Sequence, residues 1–239
     1  MISVLGDVFV DIITPIDGIV TNGATNKNIK IVYGGTANVA IWISRQKRKV
    51  AFFGKAGKDN FGTEFKKNLL KEKVKNLCCL SPKYNTGICI SLVTEEGERT
   101  MITDRGANDH ITLKDIEKIQ KDILNSNMLY FSGYSLISPE TSKSILYMMK
   151  LAKRKNKLII FNPGSFNIIN AKFNKLIEEY CNILILNYDE GRVLTKKNST
   201  NGILEELYNL DILPVLTLGE EGCLAYEDNK IIKAPAKRE

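Results

Sequence analysis

Asp11 stands inside the apolar run from Val8 to Ile13, a poor place for a merely solvated charge. A carboxylate there can accept hydrogen bonds from two adjacent hydroxyls at once, the contact needed to hold a polyol in a cleft that excludes water. The competing reading is an aspartate at a strand end or turn. Gly34 and Gly35 would let backbone approach a ligand closely, although such a pair also suits a simple turn. The following Thr36-Ala37-Asn38 opens a helix whose free N–H groups and dipole favour an oxygen-rich ligand, with Asn38 on the first turn facing the same space. Further glycine and polar groupings are Gly6-Asp7, Gly106-Ala107-Asn108, Asn187 with Glu190, and Thr217-Leu218-Gly219 with Gly222.

These residues need a scaffold that brings them together. Short β-rich apolar runs recur at Ile2 to Leu5, Val50 to Phe53, Met128 to Ser132, Leu158 to Phe161, Ile183 to Leu186 and Pro214 to Leu218. Between them, apolar residues spaced by three and four predict helices over Ala37 to Arg45, Gly62 to Lys73, Leu113 to Leu124, Pro139 to Lys155 and Ile203 to Leu210. The alternation predicts a doubly wound α/β fold, a mostly parallel sheet with helices on both faces. Open sheets of this kind bind ligands beyond the carboxyl ends of their strands, and the polar groupings follow the strands. Two stretches break the rhythm, about 12–32 and 86–104. The second reads as a β-hairpin around Glu95-Glu96-Gly97-Glu98, and together they predict a small β-sheet lid.

Other classes are set aside by composition. The 239 residues are 44% hydrophobic and 26% charged, an ordinary globular balance expected to form one domain over 1–239. A net charge of +7 favours anionic partners without naming them. The basic runs carry helical spacing and no aromatic interleaving, so they read as solvated helix faces and no nucleic-acid partner is expected. Five cysteines, including the adjacent Cys78 and Cys79, show no Cys-x-x-Cys spacing and suit a reducing, cytoplasmic setting. The apolar start contains Asp7 and Asp11, and no segment is apolar for long enough to span a membrane. Neither Gly-x-Gly-x-x-Gly nor the Walker pattern occurs. A single histidine, His110, excludes a histidine-based triad or multi-histidine metal site and reads as a solvated loop residue.

In order along the whole chain, these motifs resemble the ribokinase-like, or PfkB, carbohydrate and nucleoside kinases. Gly6-Asp7-Val8 with Asp11 is similar to the family's opening strand, and Gly34-Gly35-Thr36-Ala37-Asn38 to its first glycine signature, one residue tighter than the usual Gly-Gly-x-x-x-Asn. Gly54-Lys55-Ala56-Gly57-Lys58-Asp59-Asn60-Phe61-Gly62 resembles the family's Gly-x-x-Gly-x-Asp-x-x-Gly turn. Gly97 to Met101, leading to Gly106-Ala107-Asn108, resembles the lid hairpin returning to the substrate; Ser132-Gly133-Tyr134 resembles a strand end near the sugar. Asn187-Tyr188-Asp189-Glu190 is similar to the Asn-x-x-Glu motif, and Thr217 to Gly222 to the turn that contacts the nucleotide.

The resemblance implies transfer of the γ-phosphoryl group of ATP, with Mg²⁺, to a sugar hydroxyl. Asp11, Gly34, Gly35, Asn38 and Asn108 would hold the substrate, Asn187, Thr217, Gly219 and Gly222 the nucleotide, and Glu190 the metal. A nucleoside acceptor is the alternative within the family, a base-stacking aromatic being its mark, and the lid segments carry only Tyr33 and Tyr84 at their edges. A homodimer formed by edge pairing of the lid strands is also expected by resemblance. The family's Asp-Thr-x-Gly-Ala-Gly-Asp motif, whose final aspartate is the base, does not occur. Asp7 and Asp104 are its nearest replacements by position, and neither sits in a glycine-rich anion-binding loop. The sequence ends about where that motif is expected, so it reads as C-terminally incomplete. A non-catalytic sugar-binding protein or an unstable fragment are the competing readings.

Overall fold

The computed structural model describes residues 1–16, 28–95, 98–165, 167 and 169–236. Residues 17–27 of the first predicted lid segment, and Glu96-Gly97 of the predicted hairpin turn, lie outside the described residues. Residue contacts divide the chain into two compact units, essentially Ser3–Ile119 and Gln120–Glu239.

In the first unit, β1 (Ile2–Leu5), β4 (Val50–Phe53) and β6 (Lys75–Asn76) are neighbours in that order, with β4 and β6 parallel. All four residues of β4 are buried, as expected of a strand covered on both faces. The helices α1 (Ala37–Arg45) and α2 (Asn60–Lys71) belong to this unit. Phe65 and Leu69 of α2 are buried with Phe52 and Phe53, each contributing about 1.5–3 kcal/mol. A short parallel pair, β5 (Lys55–Gly57) and β7 (Cys79–Ser81), was not anticipated.

The lid sheet is separate, with strand order β3-β2-β8-β9. It consists of β2 (Val8–Pro15), β3 (Lys30–Gly35), β8 (Gly87–Val93) and β9 (Arg99–Asp104). The hairpin β8–β9 is antiparallel as expected, and β2 pairs β3 antiparallel but β8 parallel. Strand β2 begins at Val8, earlier than the predicted lid boundary, because its apolar run is continuous. Ladder partners point to one side, so Asp11, Val32, Cys89 and Thr103 share a face with Phe9, Gly34 and Gly87. Ile31, Tyr33, Ile90 and Ile102 lie on the other.

The division between units falls within α3 (Leu113–Leu124). The second unit carries β10 (Met128–Ser132), β11 (Leu158–Asn162), β12 (Ile183–Asn187) and β13 (Leu213–Thr217), paired in parallel in that order. Then β14 (Cys223–Glu227) and β15 (Lys230–Ala234) turn antiparallel. The helices are α4 (Pro139–Arg154), α5 (Ala171–Tyr180), α6 (Tyr188–Thr195) and α7 (Thr200–Tyr208). Local chemistry sets their starts: Pro139 opens α4, while Asn170 and Ser199 cap α5 and α7 through their side chains.

Candidate active site

Asp11 and Asn38 converge on Gly34. A Cβ placed on Gly34 would lie 2.5 Å from Asp11 Oδ2 and 2.9 Å from Asn38 Nδ2, so only glycine lets these two groups come so close to the strand. Asp11 is half-buried and Asn38 exposed. Among the described residues neither side chain is taken by a hydrogen bond or ion pair, unlike most polar groups nearby. Burial pushes the Asp11 carboxyl above its usual range. Gly35 serves the backbone instead, its φ of +72° and a Cβ position 2.7 Å from the Asp7 carbonyl making it a sharp corner. There Thr36 N donates to that carbonyl at 3.0 Å. Thr36 does not cap α1 with its own side chain; its Oγ1 instead accepts from Asp7 N at 3.1 Å.

Asn108 departs from the expected substrate contact. Its side chain is wholly buried; Oδ1 accepts from Val8 N at 2.8 Å, while Nδ2 donates to Val8 O at 2.8 Å and Arg105 O at 2.9 Å. An amide that satisfies both backbone groups of one residue replaces a neighbouring strand, so Asn108 holds the start of β2 instead of presenting itself to a ligand. Asp7 is likewise committed. Both its oxygens accept from Arg105, at 3.0 Å each, and Arg105 Nε donates to Asp109 at 2.6 Å. Burial pushes the Asp7 carboxyl up and the guanidinium pulls it back. A carboxylate held by both oxygens is no base in waiting. Asp104 is exposed and accepts from Gly106 N at 3.0 Å.

The Gly-x-x-Gly-x-Asp-x-x-Gly stretch forms a knot. Asp59 caps α2 through Gly62 N at 2.8 Å and accepts from Thr86 N at 2.8 Å and Thr86 Oγ1 at 2.7 Å. Thr86 Oγ1 in turn accepts from Gly57 N at 3.0 Å. Burial raises the Asp59 carboxyl, but these donors outweigh it and hold the group below its usual range. Thr86 was not singled out by sequence, since its partner lies far away in the chain. His110 stacks on Tyr84, centroids 3.5 Å apart, and so is a half-buried packing residue instead of a solvated one.

In the second unit, Asn187 and Glu190 form a capping box at the start of α6: Asn187 Oδ1 accepts from Glu190 N at 2.8 Å and Glu190 Oε2 from Asn187 N at 2.9 Å. Glu190 is nevertheless only 3% exposed. Burial pushes its carboxyl up, against the Asn187 N–H, and the Tyr130 hydroxyl is raised by burial and by the Glu190 charge. Thr217 Oγ1 donates to Leu186 O at 3.3 Å. Gly219 (φ +59°) has nothing within 4 Å of its Cβ position, leaving bare backbone open, whereas a Cβ on Gly222 would meet Ala234 O at 2.1 Å. Gly222 therefore closes the turn against the end of β15. At the end of β10, Tyr134 OH donates to Gly164 O at 2.6 Å. Among the described residues no three His, Cys, Asp or Glu side chains cluster as a metal site would require.

The family model described as pfkB family carbohydrate kinase matches residues 1–239. The chain belongs to that family. Among pfkB relatives, it is 26% identical over 237 residues to probable fructokinase-5 of Arabidopsis thaliana, covering 95% of this chain and 72% of that protein. It is 26% identical over 221 residues to 5-dehydro-2-deoxygluconokinase of Mesomycoplasma hyopneumoniae (strain 232), covering 86% of this chain and 65% of that protein. The chain thus spans about two thirds to three quarters of the length of these relatives. Adenosine kinase from Sinorhizobium meliloti superposes with a TM-score of 0.88 at 22% identity, over 99% of this chain and 80% of that one. The ribokinase-like α/β fold with a small lid sheet is the one expected from sequence. Among the described residues, no helix of this pfkB protein is long and apolar enough to cross a membrane.

Proposed function

We propose that this pfkB chain binds a sugar between Asp11 and Asn38 for phosphorylation by ATP, and that residues 1–239 act as one ribokinase-like domain. The observation that carries the reading is the convergence on Gly34 of a half-buried carboxylate and an amide that, among the described residues, no other group occupies. Asp11 accepts two neighbouring hydroxyls, Asn38 orients a third polar group, and Gly34 leaves room for both. Asn108 serves by fixing β2. A sugar is favoured over a nucleoside: Tyr33 lies on the lid face opposite Asp11, and the Tyr84 ring is stacked on His110.

In the reaction, a sugar hydroxyl oxygen bonds to the γ-phosphorus as the bond to the β-phosphate oxygen breaks, and the hydroxyl proton leaves to a base. The family's base lies in a motif these 239 residues do not contain, and the structure offers neither Asp7 nor Asp104 in its place. The open backbone at Gly219 and the Thr217 strand end suit the nucleotide. Mg²⁺, when bound, neutralises phosphate charge. The oxygens of Asn187 and Glu190 are hard donors that fit it, but each capping-box bond already occupies one, so they suit a hydrated ion held through its waters. The five cysteines are all free, which agrees with a cytoplasmic setting. A homodimer through the lid is supported by Ile31, Ile90 and Ile102, 55%, 36% and 60% exposed on one face.

Calorimetric titration of the chain with D-fructose, D-ribose and adenosine tests this reading, with Asp11→Ala and Asn38→Ala as variants. A sugar that binds, and binds at least about tenfold more weakly in both variants with unfolding temperature unchanged, supports the proposal. Binding of no sugar, or equal binding by Asp11→Ala, overturns it. Coupled measurement of ADP release then reads phosphoryl transfer separately.

A further inference from the structure

We propose that Arg105 is a positioning residue whose grip at the base of the lid sets the separation of Asp11 and Asn38. Arg105 follows the last residue of β9, and its guanidinium reaches in two directions. Two nitrogens hold the carboxylate of Asp7, 2% exposed, at 3.0 Å each. The backbone of the same Asp7 holds Thr36 twice, through Asp7 O to Thr36 N and through Asp7 N to Thr36 Oγ1. Thr36 is the N-cap residue of α1, two positions before Asn38. In the other direction, the guanidinium carbon lies 6.0 Å from the centroid of the Phe9 ring. That ring is confined by Gly87 and Gly35, where added Cβ atoms would approach it to 2.8 and 3.2 Å. Phe9 precedes Asp11 by two residues on the same lid face. One planar cation thus bears on both halves of the cradle, and its third contact, to Asp109 at 2.6 Å, fixes its own rotation.

The fork shape of arginine matters here as much as its charge. A lysine can neutralise Asp7 but cannot place two parallel donors on it while lying over a ring. The inference rests on the sugar-binding reading for its affinity readout only.

Four proteins test it: Arg105→Lys, Arg105→Gln, Asp7→Asn, and the double variant Asp7→Asn with Arg105→Gln. Arg105→Gln leaves a buried carboxylate unpaired and is expected to unfold at lower temperature; the double variant removes that charge and regains most of the loss. If Arg105 positions the cradle, sugar affinity stays down by about tenfold or more in both the double variant and Arg105→Lys, since a displacement of about 1 Å suffices. Hydrogen exchange without sugar is expected to quicken at Val8–Asp11 and Gly35–Asn38, with the amides of β4 and α2 unchanged. Affinity returning together with stability in the double variant, or exchange quickening evenly across the first unit, overturns the proposal. Local exchange changes in a protein that binds no sugar would instead leave Arg105's role standing and remove the sugar reading.

Discussion

Gly34→Ala perturbs the proposed sugar cradle while sparing the fold. Its Cβ would sit 2.5 Å from Asp11 Oδ2 and 2.9 Å from Asn38 Nδ2, and ordinary contact begins near 3.4 Å, so the carboxylate must retreat by about 0.9 Å and the amide by about 0.5 Å. Both are ends of side chains free to rotate, and Gly34 lies in an extended strand whose conformation alanine adopts without strain. The methyl group also lowers the entropy of the unfolded chain, worth about 0.4–1 kcal/mol, which offsets the repacking. Unfolding temperature should therefore stay within a few degrees of the parent, while a misplacement of about 1 Å weakens sugar binding by up to about a hundredfold. Gly35→Ala is the control. It places a side chain at φ +72° and 2.7 Å from the Asp7 carbonyl, so left-handed strain of about 1–2 kcal/mol adds to a collision with immobile backbone. Thermal unfolding and calorimetric titration of both variants decide the matter. Gly34→Ala binding sugar as tightly as the parent, or unfolding as early as Gly35→Ala, would refute the assignment of Asp11 and Asn38.

Three further outcomes follow from the bonds around the cradle and the α2 cap. Asn108→Ala strips Val8 of both backbone partners in a fully buried place and should cost about 1–3 kcal/mol in urea unfolding. Because burial raises the Asp11 carboxyl above its ordinary 3.8, its protonation begins at higher pH than for a free aspartate. Calorimetric titrations from pH 7 downwards should accordingly show sugar affinity falling before pH 3.8 is reached, and no such fall in Asp11→Asn. Asp59 is depressed below 3.8 by its hydrogen bonds, so its contribution is complete above that value and lost as pH falls through the lower folded-state one. The stability gap between the parent and Asp59→Ala, read by thermal unfolding, should thus be constant near neutrality and close in acid.

The strands and most helices were legible because burial imposes periodicity directly on sequence. Ile2–Leu5, Val50–Phe53 and Met128–Ser132 needed nothing beyond apolar runs, and Ala37–Arg45 and Leu113–Leu124 nothing beyond spacing by three and four. Helix α5 was passed over, although Asn170 caps it and Phe173, Leu176 and Ile177 mark its buried side. The hairpin of β14 and β15 was also missed; β15 is wholly exposed and carries no burial pattern to read. In the site, the residue types of Asp11, Gly34 and Asn38 point to one place; the ladder register brings Asp11 beside Gly34, and the first turn of α1 brings Asn38. What spacing could not reveal was commitment: Arg105 finds Asp7 across 98 positions and Asn108 finds Val8 across 100.

That distinction separates the motifs of this chain by physics instead of by pattern. Asn108, Asp59 and the Asn187–Glu190 pair each turn polar atoms back onto backbone, and a ligand could use those atoms only by displacing bonds already made. Each such bond left unmade in a buried place costs about 1–3 kcal/mol, as much as one good ligand contact returns. Among the described residues no hydrogen bond or ion pair engages the side chains of Asp11 and Asn38, so a ligand contact there displaces no bond between those residues. Glu190 falls between. A capping box explains its spacing from Asn187, but a cap of this kind works at the surface, and 3% exposure with a carboxyl raised by burial is not needed for one. The capping bond therefore accounts for where Glu190 points and leaves the depth of its burial unexplained.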